Sequence, residues 1–197
     1  YPLRRQRQMC IRDSSYAAQG WLMENDINPY EGYPGLLPGV FADQVAQEWR
    51  FTRTPYGPLS LQLQHDIVRL AGFHPYWSAV MMRIPALVGV VLIGVFLPRL
   101  ARRTGHDASF AAWFGVLNPL LVVDFVGGAH NDSFMMGLMV FGLWLATTAS
   151  WAWVPAAVVI GASAAVKQPA VMAAVALPFI VHPMPSWRPR HVVTALG

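Results

Sequence analysis

Tyr76-Trp77-Ser78-Ala79-Val80-Met81-Met82-Arg83-Ile84-Pro85-Ala86-Leu87-Val88-Gly89-Val90-Val91-Leu92-Ile93-Gly94-Val95-Phe96-Leu97 is a run of 22 residues with one charge, Arg83. About 20 apolar residues, wound as a helix, cross the hydrocarbon core of a bilayer. Arg99, Arg102 and Arg103 follow the run at once. Further apolar runs follow at 109–128, 133–149, 151–166 and 170–181. The stretch 76–182 carries only eight charges: Arg83, Arg99, Arg102, Arg103, Asp107, Asp124, Asp132 and Lys167. With no water to satisfy the backbone, such runs must be helical. The expected fold class is therefore all-α, a polytopic transmembrane protein of about five membrane segments. The last two segments, parted by Lys167-Gln168-Pro169, read either as two tilted helices or as one re-entrant hairpin.

Composition agrees. Charged residues make up 12% of the 197 and hydrophobic residues 55%, against about 25% charged in a typical soluble domain. Disorder is excluded and an ordinary soluble domain disfavoured. The net charge of +4 comes from fourteen basic against ten acidic residues. Arg4, Arg5, Arg7 and Arg12 account for the excess, so the charge does not advertise a nucleic-acid partner. Residues 1–14 lack the apolar core of a signal peptide. They resemble translated adapter sequence, or else form a basic arm, and on the first reading they are foreign to the fold. Cys10 is the single cysteine, so no internal disulfide forms.

Orientation follows from the basic loops. Arg99, Arg102 and Arg103 place 98–108 in the cytoplasm, and Arg188 and Arg190 place the C-terminal end there. The segment 15–75 and the turns at 129–132 and Lys167 then face outward. The acidic excess in 14–75, six acids to three bases, suits that side. Within it, Leu59, Leu63, Ile67 and Leu70 recur at helical spacing opposite Gln62, His65, Asp66 and Arg69, which predicts an interfacial amphipathic helix over 59–72. Trp21, Tyr30, Tyr33, Trp49 and Tyr56 either stack on sugars or pack this loop onto the membrane.

Ionisable groups inside spans need a partner or a task. Arg83 and Asp124 both fall in the outer half, and either form an ion pair that locks two helices or leave Arg83 facing a ligand phosphate. His130-Asn131-Asp132 reads as a capped turn or as a substrate or metal-binding turn. In the second case Asp132 accepts from sugar hydroxyls or a divalent cation, and His130 donates to a phosphate. Lys167 is a snorkelling lysine or a phosphate contact. No P-loop, G-x-S-x-G or H-E-x-x-H pattern is present in the sequence.

Several short motifs occur in a fixed order: Ser15-Tyr16-Ala17-Ala18-Gln19-Gly20-Trp21, Asn28-Pro29-Tyr30, Thr54-Pro55-Tyr56-Gly57-Pro58-Leu59, Asn118-Pro119-Leu120-Leu121, His130-Asn131-Asp132 and Lys167-Gln168-Pro169. Together they resemble the polyprenol-phosphate-mannose-dependent α-1,6-mannosyltransferases of bacterial lipomannan synthesis, members of the GT-C superfamily, over residues 15–190. The resemblance implies a polyprenyl-phosphomannose donor, a lipid-linked mannan acceptor on the outer leaflet, and inversion with one carboxylate base. It makes Lys167 and Arg83 candidates to stabilise the leaving phosphate. His130, Asn131, Asp132, Gln168 and Tyr56 are carried over as binding residues. The family's catalytic Asp would fall at position 12, which is Arg12 here, and Asp13 is one residue out of register. The resemblance also implies a fragment, since full members have about twice as many helices. The alternatives are a lipid or solute transporter or flippase, and a non-catalytic assembly subunit.

Overall fold

The computed structural model describes residues 11–119 and 121–181, and among them there is no strand. The chain runs through α1 (Ile11–Glu24), a loop with single turns at Val40–Asp43 and Gln47–Arg50, and α2 (Pro58–Leu70). It continues as α3 (Pro75–Met81), α4 (Arg83–Arg103) and α5 (Ala108–Val116). After a π-helical turn at Leu121–Gly127 come α6 (Asn131–Ala146), α7 (Trp153–Val166), a 3-10 stretch at Gln168–Ala176 and α8 (Leu177–Val181).

α3 and α4 join as one apolar rod, Pro75–Arg103, of 29 residues, whose most apolar 18-residue window has a mean hydropathy of 2.4. Its length is about 44 Å at 1.5 Å per residue, ample for a hydrocarbon core of about 30 Å. Among the described residues it is the one helix long and apolar enough to cross a membrane. α6 and α7 are shorter apolar helices of 16 and 14 residues.

α6 lies between α4 and α7. Its crossing with α4 is made by glycines. A Cβ on Gly137 would stand 2.6 Å from the Gly89 carbonyl oxygen, and one on Gly89 would overlap the backbone of Ser133 and Phe134. Removing side chains lets the two helix backbones approach closely. Buried serines add hydrogen bonds across the same seams. Ser133 Oγ donates to the Ala86 carbonyl (3.1 Å) and Ser163 Oγ to the Met135 carbonyl (2.7 Å).

A second core joins the segment before α3. Tyr16, Ala17 and Ala18 of α1 meet Ile67 and Val68 of α2, with Phe41, Val45, Tyr56 and Met82 closing it. Gly20 lets α1 approach α2, since a Cβ there would stand 2.5 Å from the Gln64 carbonyl oxygen.

Several expectations change. The expected span 109–128 is broken: α5 ends at Val116 and the chain resumes as the π-helical turn. Pro119 explains the break, because proline has no N–H to donate and pushes the preceding residue away from helical angles. The segment 170–181 is a 3-10 stretch followed by α8, and extended Lys167 (φ −155°) separates it from α7. The predicted helix 59–72 exists as α2, but its inward face is Ser60, Leu61, Gln64, Ile67 and Val68, while Leu70 is 77% exposed. The face is rotated because α2 packs on α1 and gives polar groups to that contact. Residues 11–14, within the stretch expected to be foreign, form the first turn of α1, with Asp13 and Ser14 buried. The expectations for residues 1–10 and for Arg188 and Arg190 lie outside the described residues.

Of the loop aromatics, Trp21 stacks on Phe41 (5.0 Å) and Tyr33 meets Phe51 edge-on. Both pack the loop. Tyr30 and Trp49 stay partly open at 44% and 36% exposure.

Candidate functional site

The first turn of α1, the start of α4, the turn into α6 and the end of α7 bring their polar residues to one place. Each arrives for a local reason. Arg12, Tyr16 and Gln19 recur at i, i+4 and i+7, one face of α1. Ala129 enters α6 with φ +46° while fully buried. A left-handed alanine is strained, and such residues gather where the fold holds a side chain in a required position. Here that residue is His130, whose backbone N–H is also tied to the Phe125 carbonyl (3.0 Å). The Gly57 N–H donates to the Val166 carbonyl (3.0 Å). This sets Tyr56 beside Lys167, and the Ala165 carbonyl leaves no room for a side chain at Gly57.

Two charged groups result. In the first, Arg83 Nη2 lies 3.1 Å from Asp13 Oδ2, and the Asp13 side chain is 2% exposed. Asp13 Oδ1 and Arg83 Nε, both buried, have no partner. Burial pushes the Asp13 carboxyl up to about 6, against the lowering by Arg83 and the smaller lowering by His130. In the second, Lys167 Nζ donates to Asp132 Oδ1 at 2.6 Å and stands 5.8 Å from the centre of the Tyr56 ring. Hydrogen bonding from His130, then from Lys167 and its charge, holds Asp132 well below the usual carboxylate range despite burial. Asp132 sits in the turn ahead of the apolar run of α6.

His130 and Arg12 link the two groups. Arg12 Nη1 is 2.8 Å from His130 Nδ1, and Asp132 Oδ2 is 3.3 Å from the same atom. Nδ1 accepts from Arg12 or donates to Asp132, and one nitrogen cannot do both. The imidazole therefore has two hydrogen-bonding states between a guanidinium and a carboxylate.

Below this lies an aromatic floor. The Tyr16 and Tyr56 hydroxyls are 3.0 Å apart and their rings meet edge-on at 5.1 Å. Burial pushes the Tyr16 hydroxyl well above its ordinary range, so it stays protonated. Tyr30 donates to the Tyr56 carbonyl (3.0 Å), and Thr54 Oγ1 to Gln19 Oε1 (3.1 Å). Tyr56→Phe leaves the Tyr16 hydroxyl, 1% exposed, without its partner. The expected cost is about 1–3 kcal/mol, read as a lower unfolding temperature of the solubilised protein. An unchanged temperature would show that this bond does not hold the floor.

The structure thus gathers Arg83, Tyr56, His130, Asp132 and Lys167 from the sequence candidates and sorts out the rest. The carboxylate facing Arg83 is Asp13, not Asp124, which is exposed on the π-helical turn. The expected Arg83–Asp124 pair is corrected accordingly: the break at Pro119 carries Asp124 away from α4's inner face. Asn131 is buried and donates to Ser60 Oγ (2.7 Å), a brace between α6 and α2. Gln168 is exposed. A divalent cation at Asp132 would have to displace the Lys167 ammonium, and among the described residues no three His, Cys, Asp or Glu side chains are grouped to hold a metal. Sequence reasoning missed Arg12 and Tyr16 as site residues. Their shared helical face was the available signal, and it straddled the boundary drawn at residue 14.

The family described as Alpha-(1->6)-mannopyranosyltransferase, N-terminal domain, matches residues 7–184. Alpha-(1->6)-mannopyranosyltransferase A of Corynebacterium glutamicum is 34% identical over 167 residues, which cover 85% of this chain and 33% of that protein. The protein of the same name from Mycobacterium tuberculosis is 34% identical over 167 residues, 85% of this chain and 31% of its own length. Alpha-(1->6)-mannopyranosyltransferase B of C. glutamicum is 36% identical over 134 residues, 66% of this chain and 22% of its own. The chain spans about a third of the length of the first two of these curated relatives. No solved structure matches it. With the match covering nearly the whole chain, motifs and buried site included, the chain belongs to the Alpha-(1->6)-mannopyranosyltransferase family and corresponds to its N-terminal domain.

Proposed function

We propose that the protein is an integral-membrane mannosyltransferase that transfers mannose from polyprenyl-phosphomannose to a lipid-linked α-1,6-mannan acceptor with inversion. On this reading α3–α4 and the apolar segments after it span the bacterial plasma membrane, and the polar cluster opens at the outer face. The observation that carries the proposal is the buried Asp13 carboxylate paired with the partly exposed Arg83, with one carboxylate oxygen unpartnered, in a cluster that also holds the cations Arg12 and, on Asp132, Lys167. A glycosyl transfer from a phosphate donor needs one base and cationic charge at the departing oxygen.

Asp13 takes the proton of the acceptor hydroxyl at Oδ1. The acceptor oxygen attacks the anomeric carbon from the face opposite the phosphate. As that bond forms, the bond from the anomeric carbon to the phosphate oxygen breaks, and polyprenyl phosphate leaves with the electron pair. Lys167, Arg12 and Arg83 offset its charge, and Asp132 holds the Lys167 ammonium in place. A carboxyl near 6 suits this role, because a base works best with a pKa near the working pH. The family's register puts its Asp at position 12, and burial together with the Arg83 pair supports Asp13 instead.

The test is transfer by the full-length protein in membranes, with polyprenyl-phosphomannose and a synthetic α-1,6-mannoside acceptor. The expected product is an α-1,6-linked extension, and its absence rejects the reading. Lys167→Gln is expected to lower kcat by about 10²- to 10³-fold, the range for removing one stabilising contact to developing charge. An unchanged kcat would remove Lys167 from the phosphate site.

A further inference from the structure

We propose that the groove between α4 and α5 binds the headgroup of one anionic phospholipid of the leaflet opposite the polar cluster. Arg99 lies sixteen residues beyond Arg83 on the same helix, about 24 Å at 1.5 Å per residue. A cavity of about 350 Å³ opens there, lined by Gly94, Pro98, Arg99 and Arg102 of α4 and by Ser109 and Ala112 of α5. The inference uses the membrane placement of α4 and is independent of mannosyl transfer.

Three observations point to this ligand. The first is unspent positive charge. Arg99 gives one N–H to the Val95 carbonyl and lies 5.8 Å from the Phe96 ring centre, and Arg102 has no protein partner among the described residues. Asp107 is the acid on the adjoining loop, and its Oδ1 caps α5 by accepting from the Phe110 N–H at 2.7 Å; no ion pair joins it to Arg99 or Arg102 among the described residues. The second is the shape. Gly94 has no side chain and the Pro98 ring does not continue the regular helix surface, so α4 presents a hollow beside Arg99 and Arg102. The third is what borders it. Val95 of α4 and Ala108 and Ala112 of α5 form an apolar wall of the groove, and Val91, one turn along α4 from Val95, is exposed. A soluble anion would satisfy the guanidiniums and leave this wall bare. A phospholipid covers both, with its phosphate on the arginine forks and its acyl chains along the apolar wall.

Arg103 provides an internal control. It carries the same charge four residues beyond Arg99, but donates to the Thr147 carbonyl (2.7 Å), away from the groove. Native mass spectrometry of the full-length protein, exchanged from detergent into mixtures of phosphatidylglycerol and phosphatidylcholine, tests the site. Retention of phosphatidylglycerol over phosphatidylcholine should be roughly tenfold or more, as two arginines meeting one anionic headgroup would give. Arg99→Gln with Arg102→Gln should bring it to near parity, Arg103→Gln should leave it unchanged, and the Lys replacements at 99 and 102 should keep part of it. Equal retention of the two lipids overturns the proposal, and so does an Arg103→Gln loss as large as that of the double variant. Excess inorganic phosphate should leave the lipid bound, and full displacement by phosphate would assign the arginines to a free anion instead.

Discussion

On the proposed reading, Asp13→Asn in the full-length protein is expected to lower mannosyl transfer by about 10²- to 10⁴-fold, the range for losing a positioned general base, while the protein still accumulates and folds. The folded carboxyl titrates at about 6 rather than 3.8, so the native state holds its proton more tightly than the unfolded chain. Linkage then has a definite sign: the folded state loses stability as pH rises from 3.8 to about 6 and changes no further above that. Above 6 a neutral amide thus removes a buried charge whose burial is unfavourable, and Arg83, 35% exposed, can turn to water. If Asp13 is the base, the same titration should give the full-length protein's rate an acid limb. Transfer should fall tenfold per unit as pH drops below about 6, since only the ionised form accepts the acceptor proton. Arg83→Gln removes a group that lowers Asp13, so the limb should move to higher pH. Steady-state rates across pH 4.5 to 8 check both variants, using a test range in the titration window of a buried carboxyl. Full activity in Asp13→Asn, or an acid limb that stays put in Arg83→Gln, would reassign the base.

Gly89→Val should abolish accumulation of folded protein. The valine would have to enter the backbone of Ser133 and Phe134 at the point where α4 and α6 touch. Overpacking commonly costs about 1–3 kcal/mol, and more where the obstacle is backbone rather than a side chain that can turn aside. Separating the helices would also break the Ser133 bond to the Ala86 carbonyl and withdraw the His130–Asp132 turn from Asp13. Gly161→Ala is the matched control: its Cβ would meet nothing within 4 Å, and alanine favours a helix interior over glycine by about 0.5–1 kcal/mol. Fluorescence-detected size exclusion of the solubilised variants separates the two. A monodisperse Gly89→Val peak equal to wild type would show that the crossing tolerates separation.

Helix existence was legible because it depends on local composition. The runs at 76–97, 133–149 and 151–166 appear as α3–α4, α6 and α7, shifted by a few residues. The break in 109–128 was also written in the chain, as Asn118-Pro119, but a hydropathy window averages over a proline. The rotation of α2 was not legible. Leu59, Leu63, Ile67 and Leu70 form the more apolar stripe by composition, yet Ser60 and Gln64 face inward because Gly20 and Asn131 stand opposite.

The site divides in the same way. Residue types and order within the sequence were enough to nominate Arg83, Tyr56, His130, Asp132 and Lys167, because polar groups stand out between apolar runs and each motif is contiguous. Which carboxylate faces which cation was decided by tertiary structure alone. Asp124 is closer to Arg83 in sequence than Asp13 is, and shares an apolar region with it, yet the chain turn at Pro119 exposes Asp124 while α1 carries Asp13 to Arg83. The sequence by itself determined an all-helical apolar chain and its polar candidates, since hydrophobic burial and backbone hydrogen bonding act over one or two turns. Only the packing of α1 on α2, and of α6 on its neighbours, decided the pairing of charges and the burial that raises Asp13, because Asp13 meets Arg83 across 70 residues of chain, Arg12 meets His130 across 118, and Asp132 meets Lys167 across 35.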